Sequence, residues 1–139
     1  MSRSTLDNLY SQRTNLSNVI QEQTGMKIDL ESKIAKLEAA SRNLMSNIGG
    51  IEESYNTITN LHVDESMWKG TEKNKFEQQK SSFQDHINVF LTKTVDARDR
   101  IEEEKNRCET NLVDVESRIS HYKGILSDVN TEIERRRNN

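Results

Sequence analysis

The sequence predicts an all-α fold: a long antiparallel two-helix hairpin, coiled-coil-like, with a Trp-x-Gly turn at the bend. Three observations carry this. Apolar residues recur at alternating spacings of four and three on both sides of the chain's middle, the pattern of helices that meet along a seam. The 139 residues contain no proline, so no ring clashes with a preceding turn and stops a helix. Hydrophobic residues make up 32% and charged residues 31%, which suits long helices with one seam better than a large central core.

The first helix is expected over about 4–60, in one domain spanning 1–139. Ser4 can cap it, with Asp7 three residues on, an approximate capping box. The seam then reads Leu6, Leu9, Arg13, Leu16, Ile20, Gln23, Lys27, Leu30, and continues through Ile34, Leu37, Ser41, Leu44, Ile48, Ile51, Tyr55 and Ile58. Val19, Met26 and Met45 flank this stripe. A stripe so widened suits contact with more than one neighbour. Gly49-Gly50 lies inside the pattern, and each glycine costs about 1 kcal/mol relative to alanine. The spacing continues through the pair without a slip, so the helix is expected to persist, with a kink allowed. A true break into two helices is the alternative.

The connection is expected over 61–71. It holds the chain's only tryptophan, in Met67-Trp68-Lys69-Gly70. Gly70 can take the positive φ of a tight reversal. Trp68 can lay its indole over the ends of both helices. The second helix is expected over about 72–135, with a frayed polar tail at 136–139. Its seam reads Phe76, Lys80, Phe83, Ile87, Phe90, Thr94, Ala97, Ile101, then Lys105, Cys108, Leu112, Val115, Ile119, Tyr122, Leu126, Val129, Ile133. Two successive spacings of four around Ile101 form a stutter, which locally unwinds a supercoil. Leu91 and Val95 flank this seam. Pairs four apart, such as Glu132 with Arg136, decorate its outer face, each worth tenths of a kcal/mol.

Folding at the tryptophan places residues whose numbers sum to about 131 at the same level. Gly49 and Gly50 then face Ser81 and Ser82, and a close backbone approach would explain both pairs. In this register Val129 and Ile133 project past the start of the first helix, without a partner in the hairpin.

Chemistry is sparse. His62, His86 and His121 are scattered, and Cys108 is the only cysteine. No residues stand at metal-ligand spacing, and no nucleophile–base pair or phosphate loop is present, so no catalytic residue, metal or cofactor is assigned. A net charge of −3 with both signs mixed argues against a nucleic-acid footprint. No apolar run reaches bilayer length, so no membrane insertion is expected. No leader of charged then apolar residues follows Met1, so no signal peptide is expected. Cys108, on the seam, reads as a small core residue.

The Trp68-Lys69-Gly70 turn between heptad helices resembles the W-x-G superfamily of type VII secretion proteins. Trp-Lys-Gly-Thr followed by Phe76 and a charged helix is more similar to the YwqH-like family. The resemblance implies a non-enzymatic targeting factor or chaperone, encoded beside an LXG-domain toxin in a Gram-positive bacterium. It would bind the toxin's helical N-terminal region, often beside a second small helical W-x-G-like protein, and present it to the secretion machine. Trp68 and Gly70 match the turn and Phe76 matches the aromatic. Trp68 is read as a clasp on the hairpin end, with recognition by the secretion ATPase or a partner as a compatible second role. Secreted relatives often carry a tyrosine or phenylalanine shortly before an acid. Here Tyr10, Tyr55 and Tyr122 are followed four residues on by Thr14, Thr59 and Leu126, so the toxin or another partner is expected to supply the export signal.

The expected location is cytoplasmic, with co-secretion beside the toxin as an extension. The partner face is expected at Val19, Met26, Met45, Leu91, Val95, Val129 and Ile133, because two helices cannot cover the flanking positions as well as the seam. Two other functions fit the same helices: a self-associating structural coiled coil, and an immunity protein that blocks the toxin's active half.

Overall fold

The computed structural model describes residues 3–61 and 70–139. Two helices, α1 (Arg3–Thr59) and α2 (Gly70–Arg137), pack against each other as an antiparallel hairpin. The seam periodicity therefore reports the fold correctly. α1 runs unbroken through Gly49-Gly50, which removes the alternative of two separate helices there. α2 is helical from Gly70, where the described residues resume, and stays helical to Arg137, into the tail expected to fray from 136. Arg135, Arg136 and Arg137 in its last turn meet the negative end of the helix dipole. Trp68 and most of the expected turn lie outside the described residues. Gly70 does not, and its expected role is corrected: no described glycine has a positive φ, and Gly70 is the first residue of α2.

The chain forms two compact units, one from Met1–Lys36 with Lys105–Asn139, the other from Leu37–Glu104. In the first unit the deepest side chains come from α2: Cys108, Val115, Ile119, Val129 and Ile133 are buried. Their α1 counterparts Leu9, Leu16, Ile20, Leu30 and Ile34 are half-buried. Ile133 is only 2% exposed and Val129 7%, so the expectation that both lack a partner is overturned. Arg13, read as a seam position, is exposed, with its guanidinium 4.8 Å from the centre of the Tyr10 ring. Glu132 accepts hydrogen bonds from Arg135 Nη2 and Arg136 Nε, both at 2.6 Å. The Arg135 bond, followed by that from Arg136, holds the Glu132 carboxyl down at about 2.

The second unit has polar groups in its seam. Ser41 and Thr94 are buried there beside Ile48. Thr94 satisfies its hydroxyl within α2 by donating to the Phe90 carbonyl at 2.9 Å. Ser41 Oγ donates across the seam to Glu102 Oε1 at 2.5 Å. At the end of α1, Gln84 Nε2 donates to Thr59 Oγ1 at 3.0 Å. α1 has no basic residue in its own last turn, where unsatisfied carbonyls accumulate negative potential. Lys80 of α2 fills that role, donating from Nζ to the carbonyls of Thr59 and Leu61 at 3.2 and 3.1 Å. A residue that interrupts the apolar seam thus caps the opposite helix.

These contacts correct the expected register. Ser41 with Glu102 and Thr59 with Gln84 place level residues at numbers summing to about 143, twelve more than a fold centred on the tryptophan would give. The cause is that α2 starts beyond the end of α1. Its residues 70–83 run past the level of Thr59, roughly 20 Å at ~1.5 Å per residue. Gly49 and Gly50 therefore lie level with about Lys93 and Thr94, not Ser81 and Ser82. No close approach explains them, because a Cβ added at either would meet nothing within 4 Å.

Spin labels at the exposed, level positions Asn43 and Arg100, with Cys108 replaced by alanine, are expected to give a short distance by pulsed EPR. Labels at Asn43 and Asn88 should lie roughly 18 Å further apart along the axis, and the reverse order would restore the other register. Lys80→Met should cost about 0.5–1 kcal/mol and raise hydrogen exchange at the last turn of α1 while leaving α2 protected. Because the arginines hold the Glu132 carboxyl below its ordinary value, its contribution is present above 4.5 and fades as pH falls toward about 2. An acid titration should show Glu132→Gln narrowing the stability gap to the parent chain over that window, with a small amplitude because the pair is solvated.

Candidate functional site

Among the described residues no group of three or more His, Cys, Asp or Glu side chains could hold a metal ion, and no helix is long and apolar enough to cross a membrane. What the surface does offer is apolar. Phe83 is 55% exposed and Phe90 60%, although both were expected in the seam. The reason is that α2 carries two interleaved stripes there. Phe83, Ile87, Phe90 and Thr94 form one; Gln84, Ile87, Leu91 and Thr94 form the other, and they share Ile87 and Thr94. The structure half-buries Gln84 and Leu91 and leaves the phenylalanines outside. Leu91, expected to flank the seam, is thus part of it. The available signal was the density of apolar residues from 83 to 95, too many for one stripe.

The phenylalanines wall a groove within the second unit, about 920 Å³ in volume. On α2 its lining includes Phe83, His86, Ile87 and Phe90; on α1 it includes Asn47, Gly50, Ile51 and Ser54. Each set stands at i, i+3, i+4 and i+7, the four-residue hole that accepts one knob of a neighbouring helix. Gly50 supplies no side chain, and Ser54 supplies a small one, so the α1 wall is low. No Lys, Arg, Asp or Glu lines the groove. Glu53 and Lys93 follow on the outer sides of the two walls, both exposed. Phe76, the matched aromatic, is half-buried in a smaller hollow shared with Ile58, Leu61 and Phe83.

The expected partner residues separate into three groups. Met26 and Met45 are exposed. Val19, Leu91 and Val95 are half-buried. Val129 and Ile133 are buried in the first unit and are not available to a partner while that unit is intact. Trp68 lies outside the described residues. Sequence reasoning missed the groove because it assigned Phe83 and Phe90 to the seam and Gly49-Gly50 to a close contact.

Neither the curated proteins nor the solved structures include a match to this chain. The model of one protein family, described as YwqH-like, matches residues 11–135. That span covers nearly all of both helices and the connection between them, and the chain therefore belongs to the YwqH-like family.

Proposed function

We propose that this chain is a non-enzymatic targeting factor that binds the helical N-terminal domain of an LXG-type toxin for type VII secretion. The observation that carries the binding role is the uncharged groove with Phe83 and Phe90 on its wall. Family membership supports the choice of partner.

In this reading the factor meets the toxin in the cytoplasm and covers apolar helix faces that would otherwise aggregate. A second small helical protein can share the complex, and the secretion ATPase then receives the assembly. Residues on the hairpin need only be complementary to helices, so no catalytic group or cofactor has a part. Whether the factor leaves with the toxin depends on where the export signal lies.

Co-expression with the two halves of an LXG-domain toxin provides the test. Affinity purification of the full chain should retain the N-terminal helical half and not the C-terminal half. Retention of only the C-terminal half would establish the immunity reading instead. Binding to neither half, with stable self-association by analytical ultracentrifugation, would leave a structural coiled coil.

A further inference from the structure

We propose that a second copy of this chain closes the groove, in a two-fold dimer whose axis runs along the hairpin, so that α2 of each copy lies over α1 of the other. The inference goes beyond the targeting role: it concerns the state of the chain before any other protein is present.

The groove face is uneven in a self-complementary way. Its α2 side is high, with Phe83 and Phe90 55% and 60% exposed. Its α1 side is low, at Gly50 and Ser54. High must meet low if no void is to remain. A two-fold axis along the hairpin exchanges the sides and keeps every residue at its own level. In the observed register Phe90 is level with about residue 53. Phe90 of the partner copy therefore arrives between Gly50 and Ser54, where a Cβ on Gly50 would meet nothing within 4 Å. Phe83 of the partner copy, two turns away (about 10 Å), arrives near Leu61, itself 47% exposed. A two-fold axis across the hairpin lays α1 on α1 and α2 on α2 instead. Phenylalanines then meet phenylalanines, and a void remains over Gly50.

Charge selects the same arrangement. No Lys, Arg, Asp or Glu lines the groove, so apolar side chains enter without stranding a charge. Glu53 and Lys93 stand exposed outside the two walls, about one turn apart in level. Exchanging the sides brings Glu53 of each copy beside Lys93 of the other. These exposed pairs choose the arrangement more than they add affinity.

Toward the other end Arg42 and Arg100, both exposed and level with each other, meet as like charges, which confines the contact to the phenylalanine half. That part of the face, from Leu44 to Leu61, is roughly 25 Å long and two helices wide, about 500 Å² per copy. An interface of this size lies in the range of transient complexes. Such a dimer can give way to a tighter partner.

The test is sedimentation equilibrium of the isolated full chain. The parent should pass from monomer to dimer with a Kd of about 1–100 μM. Gly50→Leu fills the low side where the hairpin has room, and leucine favours helix over glycine. This variant should fold at least as well as the parent yet dimerise at least tenfold more weakly. Phe90→Ser should weaken the dimer similarly, and Val113→Ser, outside the groove, should not. At low ionic strength Glu53→Lys should also weaken it, and Glu53→Lys combined with Lys93→Glu should restore it, because the exchanged charges again meet across the axis. A parent that stays monomeric to ~1 mM overturns the proposal. So does a dimer indifferent to both Gly50→Leu and Phe90→Ser, or a double charge exchange that dimerises no better than Glu53→Lys alone. The targeting role is decided separately, by co-expression with the toxin halves.

Discussion

An apolar heptad seam is a poor ruler. Sliding one helix along the other by a repeat exchanges one set of aliphatic contacts for a similar set, so burial alone discriminates weakly between registers. In the second unit the discrimination comes from polar groups. Ser41 is buried and reaches Glu102, a cross-seam hydrogen bond that sliding the helices would break. Gln84 reaches Thr59, and Lys80 reaches the carbonyls at the end of α1. Those three contacts agree on one alignment. They also fix what lies beside the seam, because the register decides which α1 residues face Phe83 and Phe90.

Both helices, their unbroken course through Gly49-Gly50 and most seam residues were legible in the sequence, because periodicity is a local property of each helix. The alignment was not, because it depends on which polar side chains meet across the seam. Lys80 and Ser41 read as interruptions of the apolar pattern, and only their partners reveal them as a cap and a clamp. The stripe on α2 between 83 and 94 was ambiguous for a related reason. Two stripes share Ile87 and Thr94, and the more apolar one was the natural choice for the seam. The structure places the polar Gln84 there because it has a hydrogen-bond partner at the end of α1.

The glycine pair acquires a different meaning in the observed register. Glycine within a helix costs about 1 kcal/mol relative to alanine, and that cost is usually offset by close packing at the same point. Here nothing approaches: a Cβ at Gly49 or Gly50 would meet open space. Within the isolated chain the pair therefore weakens α1 without any compensating contact. Gly50 also lies in the wall of the groove that Phe83 and Phe90 overlook, so its missing side chain deepens that groove.

The same imbalance appears in the cores of the two units. The first unit encloses Cys108, Val115, Ile119, Val129 and Ile133; the second encloses Ile48 with two hydroxyl residues, Ser41 and Thr94. A seam of that composition supplies little hydrophobic free energy against the entropy of ordering its residues. Covering the exposed halves of Phe83 and Phe90 would add about 1–1.5 kcal/mol for each. Those gains are available only to a complex, so a helix docked in the groove would raise the stability of the second unit more than that of the first. On the proposed targeting role the two demands oppose each other at these positions: an apolar side chain kept free for a partner is one withheld from the chain's own core.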